Sequence, residues 1–146
     1  PNHWAFEEVD LLAGDIIGAS PVVVGYECDG CELVLENGIP VAAESPATPL
    51  GFEVLATAPA RLWATEDLPP QLHNSYVGEL NWVAERLGGG DTEENRDRFA
   101  LGYAVIGSFR RNKGTVFTVG CTDWAYGLGD PVIDQITLNV INHIPA

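Results

Sequence analysis

The sequence predicts an α/β protein, with a mixed α+β arrangement as the alternative, made mostly of β-strands and hairpins with two or three helices. Three observations predict it. β-Branched and aromatic runs in PVVVGYECDGCELVL, GFEVLATAPA, YAVIGSFRR and GTVFTVG are separated by Asp-Gly, Asn-Gly and Asn-Lys-Gly turn signals. Between residues 76 and 88 the apolar period shifts, with Leu80, Val83, Ala84 and Leu87 at i, i+3, i+4 and i+7. Asp130-Pro131 then opens a mainly apolar closing segment, as N-cap and first helical residue.

Taken in chain order, Asn2 reads as the N-cap of a short helical turn over HWAFEE, followed by loop. Residues 22–24, all valine, favour a strand, and Asp29-Gly30 suits a hairpin tip joining it to ELVL. Asn37-Gly38 is a second hairpin signal, so the region could be a three-strand meander; the two turns compete. Residues 51–60 read as a further strand, and Pro59, Pro69 and Pro70 impose an irregular connection after it. The amphipathic helix ends at the Gly88-Gly89-Gly90 run. A short exposed helix follows over DTEENRDRFA, capped by Asp91 or Thr92, with glutamates in its first turn. YAVIGSFRR and GTVFTVG form an antiparallel hairpin crossing the core, and Arg110, Arg111 and Lys113 lie at its solvated end.

At 146 residues and 46% hydrophobic, the chain suits one domain with a real core, residues 1–146. The absence of an initiator methionine, and of any methionine, suggests a chain that starts inside a longer gene product. Seven Lys and Arg against 21 Asp and Glu give a net charge of -14, which repels phosphate backbones and anionic headgroups. Nucleic acid and membrane surfaces are therefore poor partners, and no apolar run is long enough to span a bilayer. Three cysteines do not form a secreted disulfide framework and fit a reducing, cytoplasmic setting.

Several residues could carry chemistry. Cys28-Asp29-Gly30-Cys31 has the C-x-x-C spacing of redox dithiols and half zinc sites. A redox pair, however, belongs at a helix N-terminus, and zinc needs two more ligands. Cys121, His3, His73 and His143 supply no second closely spaced pair. Cys121 ends an apolar strand, where a nucleophile could sit, but Thr122-Asp123 lacks the small-residue elbow, so it reads as a small buried hydrophobe. Glu27 ends the valine-rich strand beside Tyr26, where burial could make its carboxylate an acid or base. Asp123 is a second such carboxylate, and Trp124 and Trp4 could wall a pocket. His3 beside Trp4 is either a ligand-like residue or a satisfied structural one.

NHWAFE, VVVGYECDG, VLATAPA, GTVFTVGCTDWAYGL and ITLNVI, in that order, resemble the C-terminal stretch of the large (beta) subunit of N,N-dimethylformamidase and its relatives. The more specific parts are GYECDG and the GTVF to DWAYGL block. The resemblance implies a glutamine-amidotransferase-like core in a hydrolase of non-peptide C–N (amide) bonds. It also implies an iron held by tyrosines and a glutamate lying mostly upstream, so no cofactor is expected in this chain. Glu27 in GYE carries over as the active-site carboxylate, with His3 second; Cys31 and Cys121 are departures from that chemistry. The expected assignment is catalytic Glu27, Asp123 and His3, a pocket of Tyr26, Trp124 and Trp4, and no metal ligand. The expected partners are the remainder of the parent protein or further copies of the chain, and a small amide. Two rivals are a non-catalytic interaction or oligomerisation domain, and a C-x-x-C metal or redox protein.

Overall fold

The computed structural model describes residues 2–24, 27–72 and 79–143. Its described strands form two antiparallel sheets accompanied by helices, a mixed α+β fold. The two competing turn signals resolve in favour of Asn37-Gly38. Both residues take positive φ, 54° and 81°, as the two-residue turn that matches strand twist requires. Strand β1 (Leu33–Glu36) accordingly pairs with β2 (Ile39–Ala42), with Glu36 opposite Ile39.

No hairpin forms at Asp29-Gly30, which corrects the expected strand–turn–strand over residues 21–35. The backbone around Asp29 is engaged by distant partners instead. The Val105 amide donates to the Asp29 carbonyl at 3.0 Å, the Asp29 amide to Gly120 at 3.0 Å, and the Thr122 amide to Glu27 at 3.1 Å. Segment 27–29 is thus hydrogen-bonded both to the central strand and to the chain leaving the last strand. A hairpin tip would have left these groups to water.

The larger sheet has the order β3-β4-β5, with β3 Glu53–Arg61, β4 Leu101–Arg111 and β5 Gly114–Thr118. Arg111 pairs with Gly114 across an Asn112-Lys113 turn, as the sequence predicts. Five consecutive residues of β4, numbers 104–108, are buried, so the middle strand is covered on both faces.

Two compact units share the chain: residues 1–58 with 104–146, and residues 59–103. In the first, Phe6, Val23, Ile106, Trp124, Ile133 and Ile136 form the core. Helix α3 (Pro131–His143) contributes Ile133 and Ile136, both fully buried. Asp130 caps it as predicted, its Oδ1 accepting from the amides of Val132 and Ile133 at 2.9 and 3.1 Å. The N-terminal helical turn is a 3₁₀ turn, Trp4–Phe6, whose cap is His3 and not Asn2; the imidazole Nδ1 accepts from the Ala5 amide. Asn139 of α3 holds this turn by donating to the carbonyls of Ala5 and Glu7.

In the second unit, the predicted amphipathic helix is α1 (Leu80–Gly88), burying Leu80 and Ala84; the expected start at residues 76–78 lies outside the described residues. Helix α2 (Glu93–Ala100) is capped by Thr92, which accepts from the Asn95 amide. The Asn95 amide group bonds back to the carbonyls of Gly88 and Gly90, locking the linker between the helices. Arg96 bridges Asp91 and Glu66 at 2.6 Å each; it holds the Asp91 carboxyl below its usual range, and at Glu66 a backbone amide does so first, with Arg96 adding to it. No helix among the described residues is long and apolar enough to cross a membrane.

The close approach at the segment 27–29 junction makes a testable demand. A Cβ at Gly120 (φ 67°) would collide with the Val105 backbone, whereas one at Gly38 meets nothing. Gly120→Ala is therefore expected to lower unfolding free energy by about 3 kcal/mol, and Gly38→Ala by only the 1–2 kcal/mol of roughly a left-handed residue. Urea denaturation checks this; equal losses would contradict the close approach.

Candidate functional site

The first unit holds an open cavity of about 650 Å³. Its walls come from the loop at residues 11–17, from β3, from Ala104 and Ile106 of β4, and from Cys121 and Trp124. The lining is almost wholly apolar. Its one carboxylate, Asp15, accepts from the Leu12 amide at 2.8 Å and so closes its own loop. Leu12, Ile16 and Ile39 on the rim are strongly exposed. A volume in this range suits an apolar body and exceeds the needs of a small amide.

Of the two predicted pocket residues among those described, Trp4 does not line the cavity and Trp124 does. It sits in the 3₁₀ segment Thr122–Gly127 and is buried, with its indole N–H donating to Thr137 Oγ1 at 3.0 Å. The Thr137 hydroxyl in turn donates to the Ile133 carbonyl at 2.7 Å. This relay pins the wall to α3 and leaves no unpaired indole proton in the core.

Glu27 and Asp123 are brought to one junction. Glu27 is exposed, and its carbonyl receives the Thr122 amide. The Thr122 hydroxyl lies 3.5 Å from that carbonyl and 3.4 Å from Asp123 Oδ1, at the weak end of hydrogen bonding. The two carboxylate residues therefore flank the cavity wall at Cys121 and Trp124 without lining the cavity.

His3 and Trp4 stand elsewhere, against β4, β5 and α3. Because Nδ1 of His3 accepts from Ala5, its proton is on Nε2, which donates to the buried Ser108 hydroxyl at 3.0 Å. Trp4 stacks on His143 at 3.8 Å with the rings 6° from parallel, and contacts Phe117 at 5.5 Å. Both ring nitrogens of His3 are thus occupied in joining the N-terminal turn to the central strand. Tyr26, the remaining predicted pocket residue, lies outside the described residues.

All three thiols are free, and burial pushes each of them up. At Cys121 the amide of Trp124 opposes burial, while the Asp123 carboxylate reinforces it. Cys28 and Cys31 sit on no helix, so the dipole that activates C-x-x-C thiols is missing. Among the described residues no three His, Cys, Asp or Glu side chains converge to hold a metal. The described tyrosines, Tyr103 and Tyr126, are exposed at 47% and 72%. The described residues therefore do not fit the tyrosine and glutamate iron set that the resemblance implies. Sequence reasoning missed Cys121 as a cavity residue; its place at the end of an apolar strand was the available signal.

The fold and site define a mixed α+β module with an apolar cavity walled in part by Cys121 and Trp124. The chain belongs to the N,N-dimethylformamidase beta subunit-like, C-terminal family, whose model matches residues 1–137. No curated protein and no solved structure matches the chain.

His3 makes a pH dependence testable. Burial lowers its pKa below 6.5, His143 adds to the lowering, and Glu53, 4.0 Å away, opposes it. The folded state then binds the proton less tightly than the unfolded chain. Its penalty is absent above that value and grows as pH falls through 6.5 toward the folded pKa. His3→Gln, which keeps a donor for Ser108, is expected to flatten the stability loss between about pH 7 and about pH 5. A midpoint above 6.5 for His3 in an NMR titration would contradict the assignment.

Proposed function

We propose that the chain is the C-terminal module of an N,N-dimethylformamidase-like amide hydrolase, inactive alone, presenting Glu27 and the Asp123-Trp124 loop to a site completed by the rest of the parent protein. The family match carries the reading. Supporting it, the Thr122 hydroxyl lies 3.5 Å from the Glu27 backbone carbonyl and 3.4 Å from Asp123 Oδ1, so residues 27 and 123 are close in the fold. An exposed carboxylate at such an edge can take or give a proton to a substrate held by another part of the protein. Any iron in the parent would be held by residues outside those described here, and no step of this chain's chemistry is routed through it. His3 serves as a positioning residue in this reading, holding the N-terminal turn to β4, and a small amide is the substrate class.

A second reading is favoured by the cavity itself. Its apolar walls and the exposed Leu12, Ile16 and Ile39 on its rim suit an apolar segment of the parent or another copy of the chain. In that case the module is an interaction or oligomerisation domain, and the chemistry belongs wholly to other residues.

The two readings part on one experiment. Glu27→Gln in the full-length parent is expected to lower kcat for amide hydrolysis by about 10²-fold or more, with KM little changed. Asp123→Asn is expected to act in the same direction, and the isolated chain to hydrolyse no amide. Normal rates in both variants, with native folding by circular dichroism, would remove these carboxylates from the mechanism and leave the interaction role.

A further inference from the structure

Cys28 and Cys121 face each other as an isolated antiparallel bridge, 93 positions apart in sequence. The bonds that make the bridge are those of their neighbours: Asp29 amide to Gly120 carbonyl at 3.0 Å, and Thr122 amide to Glu27 carbonyl at 3.1 Å. That pattern defines a non-hydrogen-bonded pair, the position where opposed Cα atoms are only about 4.5 Å apart and both side chains leave the same face. A disulfide spans Cα separations of roughly 4.4–6.8 Å, so the backbone is already at bridging distance. Cys31 has no comparable placement, because it lies in the run entering β1, whose backbone pairs with β2. Cys28 is exposed and reachable from solvent, while Cys121 lines the apolar cavity.

We propose that Cys28 and Cys121 are a dithiol site that a small disulfide oxidant, of the oxidised glutathione class, converts into a cross-strand disulfide at the cavity wall. One protein thiolate attacks the oxidant's S–S bond and releases one small thiol, forming a mixed disulfide. The second protein sulfur then displaces the other small thiol. Two protein S–H bonds and one oxidant S–S bond become one protein S–S bond and two small thiols; the protein loses two electrons and the oxidant gains them. The product ties segment 27–29 covalently to the wall that carries Trp124. The C-x-x-C spacing plays no part, since Cys28 pairs with Cys121 and leaves Cys31 free.

The test incubates the whole chain with excess oxidised glutathione, then counts free thiols after denaturation and maps non-reduced peptides. Free thiols are expected to fall from three to one per chain, with a Cys28–Cys121 cross-linked peptide and complete recovery in dithiothreitol. Cys31→Ser is expected to keep the cross-link and show no free thiol, and Cys28→Ser to form no intramolecular disulfide. A Cys28–Cys31 link, a Cys31–Cys121 link in Cys28→Ser, glutathione adducts without a cross-link, or three unreacted thiols would each overturn the proposal.

Discussion

The hydrogen bonding of segment 27–29 to two distant parts of the chain is the constraint on which the rest of the site depends. Its carbonyl at Asp29 receives the amide of Val105 from the central strand, while the Asp29 amide and the Glu27 carbonyl bond to Gly120 and Thr122. The backbone partners of this segment are all long-range ones. With the segment in place, Glu27 is adjacent to Thr122, and Cys28 is opposite Cys121. The 3₁₀ turn that follows carries Trp124 into the core, where the Thr137 relay fixes it to α3. Gly120 is the residue that lets the strands approach, because nothing larger than hydrogen fits beside the Val105 backbone.

From that constraint follows a division between an apolar interior and a polar margin. Cavity walls from β3, β4 and the loop at residues 11–17 offer almost no polar group to orient a ligand. The carboxylates stand at the edge instead, where solvent or a neighbouring part of a larger protein can reach Glu27. Such a layout suits a module that packs by its apolar side and contributes side chains at the border of a shared site. The net charge of -14 is compatible with such packing because the cavity lining itself carries one carboxylate, already bonded within its loop.

What the sequence makes legible is what local chemistry decides. The Asp130 cap, the Thr92 cap, the Asn112-Lys113 turn and the α1 periodicity each depend on residues a few positions apart, and each forms as read. Asp29-Gly30 and Asn37-Gly38 have the same local turn preference, and only the distant Val105 and Gly120 distinguish them. The same limit hid the partner of His3, since Ser108 is 105 positions away, and the pairing of Cys28 with Cys121. Of the candidate site, Glu27, Asp123 and Trp124 are legible as residue types, whereas the bond of the Thr122 amide to the Glu27 carbonyl, 95 positions away, is not. The family resemblance, carried by GYECDG and the GTVF to DWAYGL block, agrees with the family match over residues 1–137.

Native-state hydrogen exchange tests the central constraint most directly, because the amides of Asp29, Val105 and Thr122 report on the bonds of segment 27–29 to both of its partners. The account predicts that all three exchange slowly and open together, with protection close to that of the core amides of β4. Fast exchange at Asp29 and Thr122 while β4 and β5 remain protected would show that the segment is not held by these bonds, and the geometry of the site would fall with it.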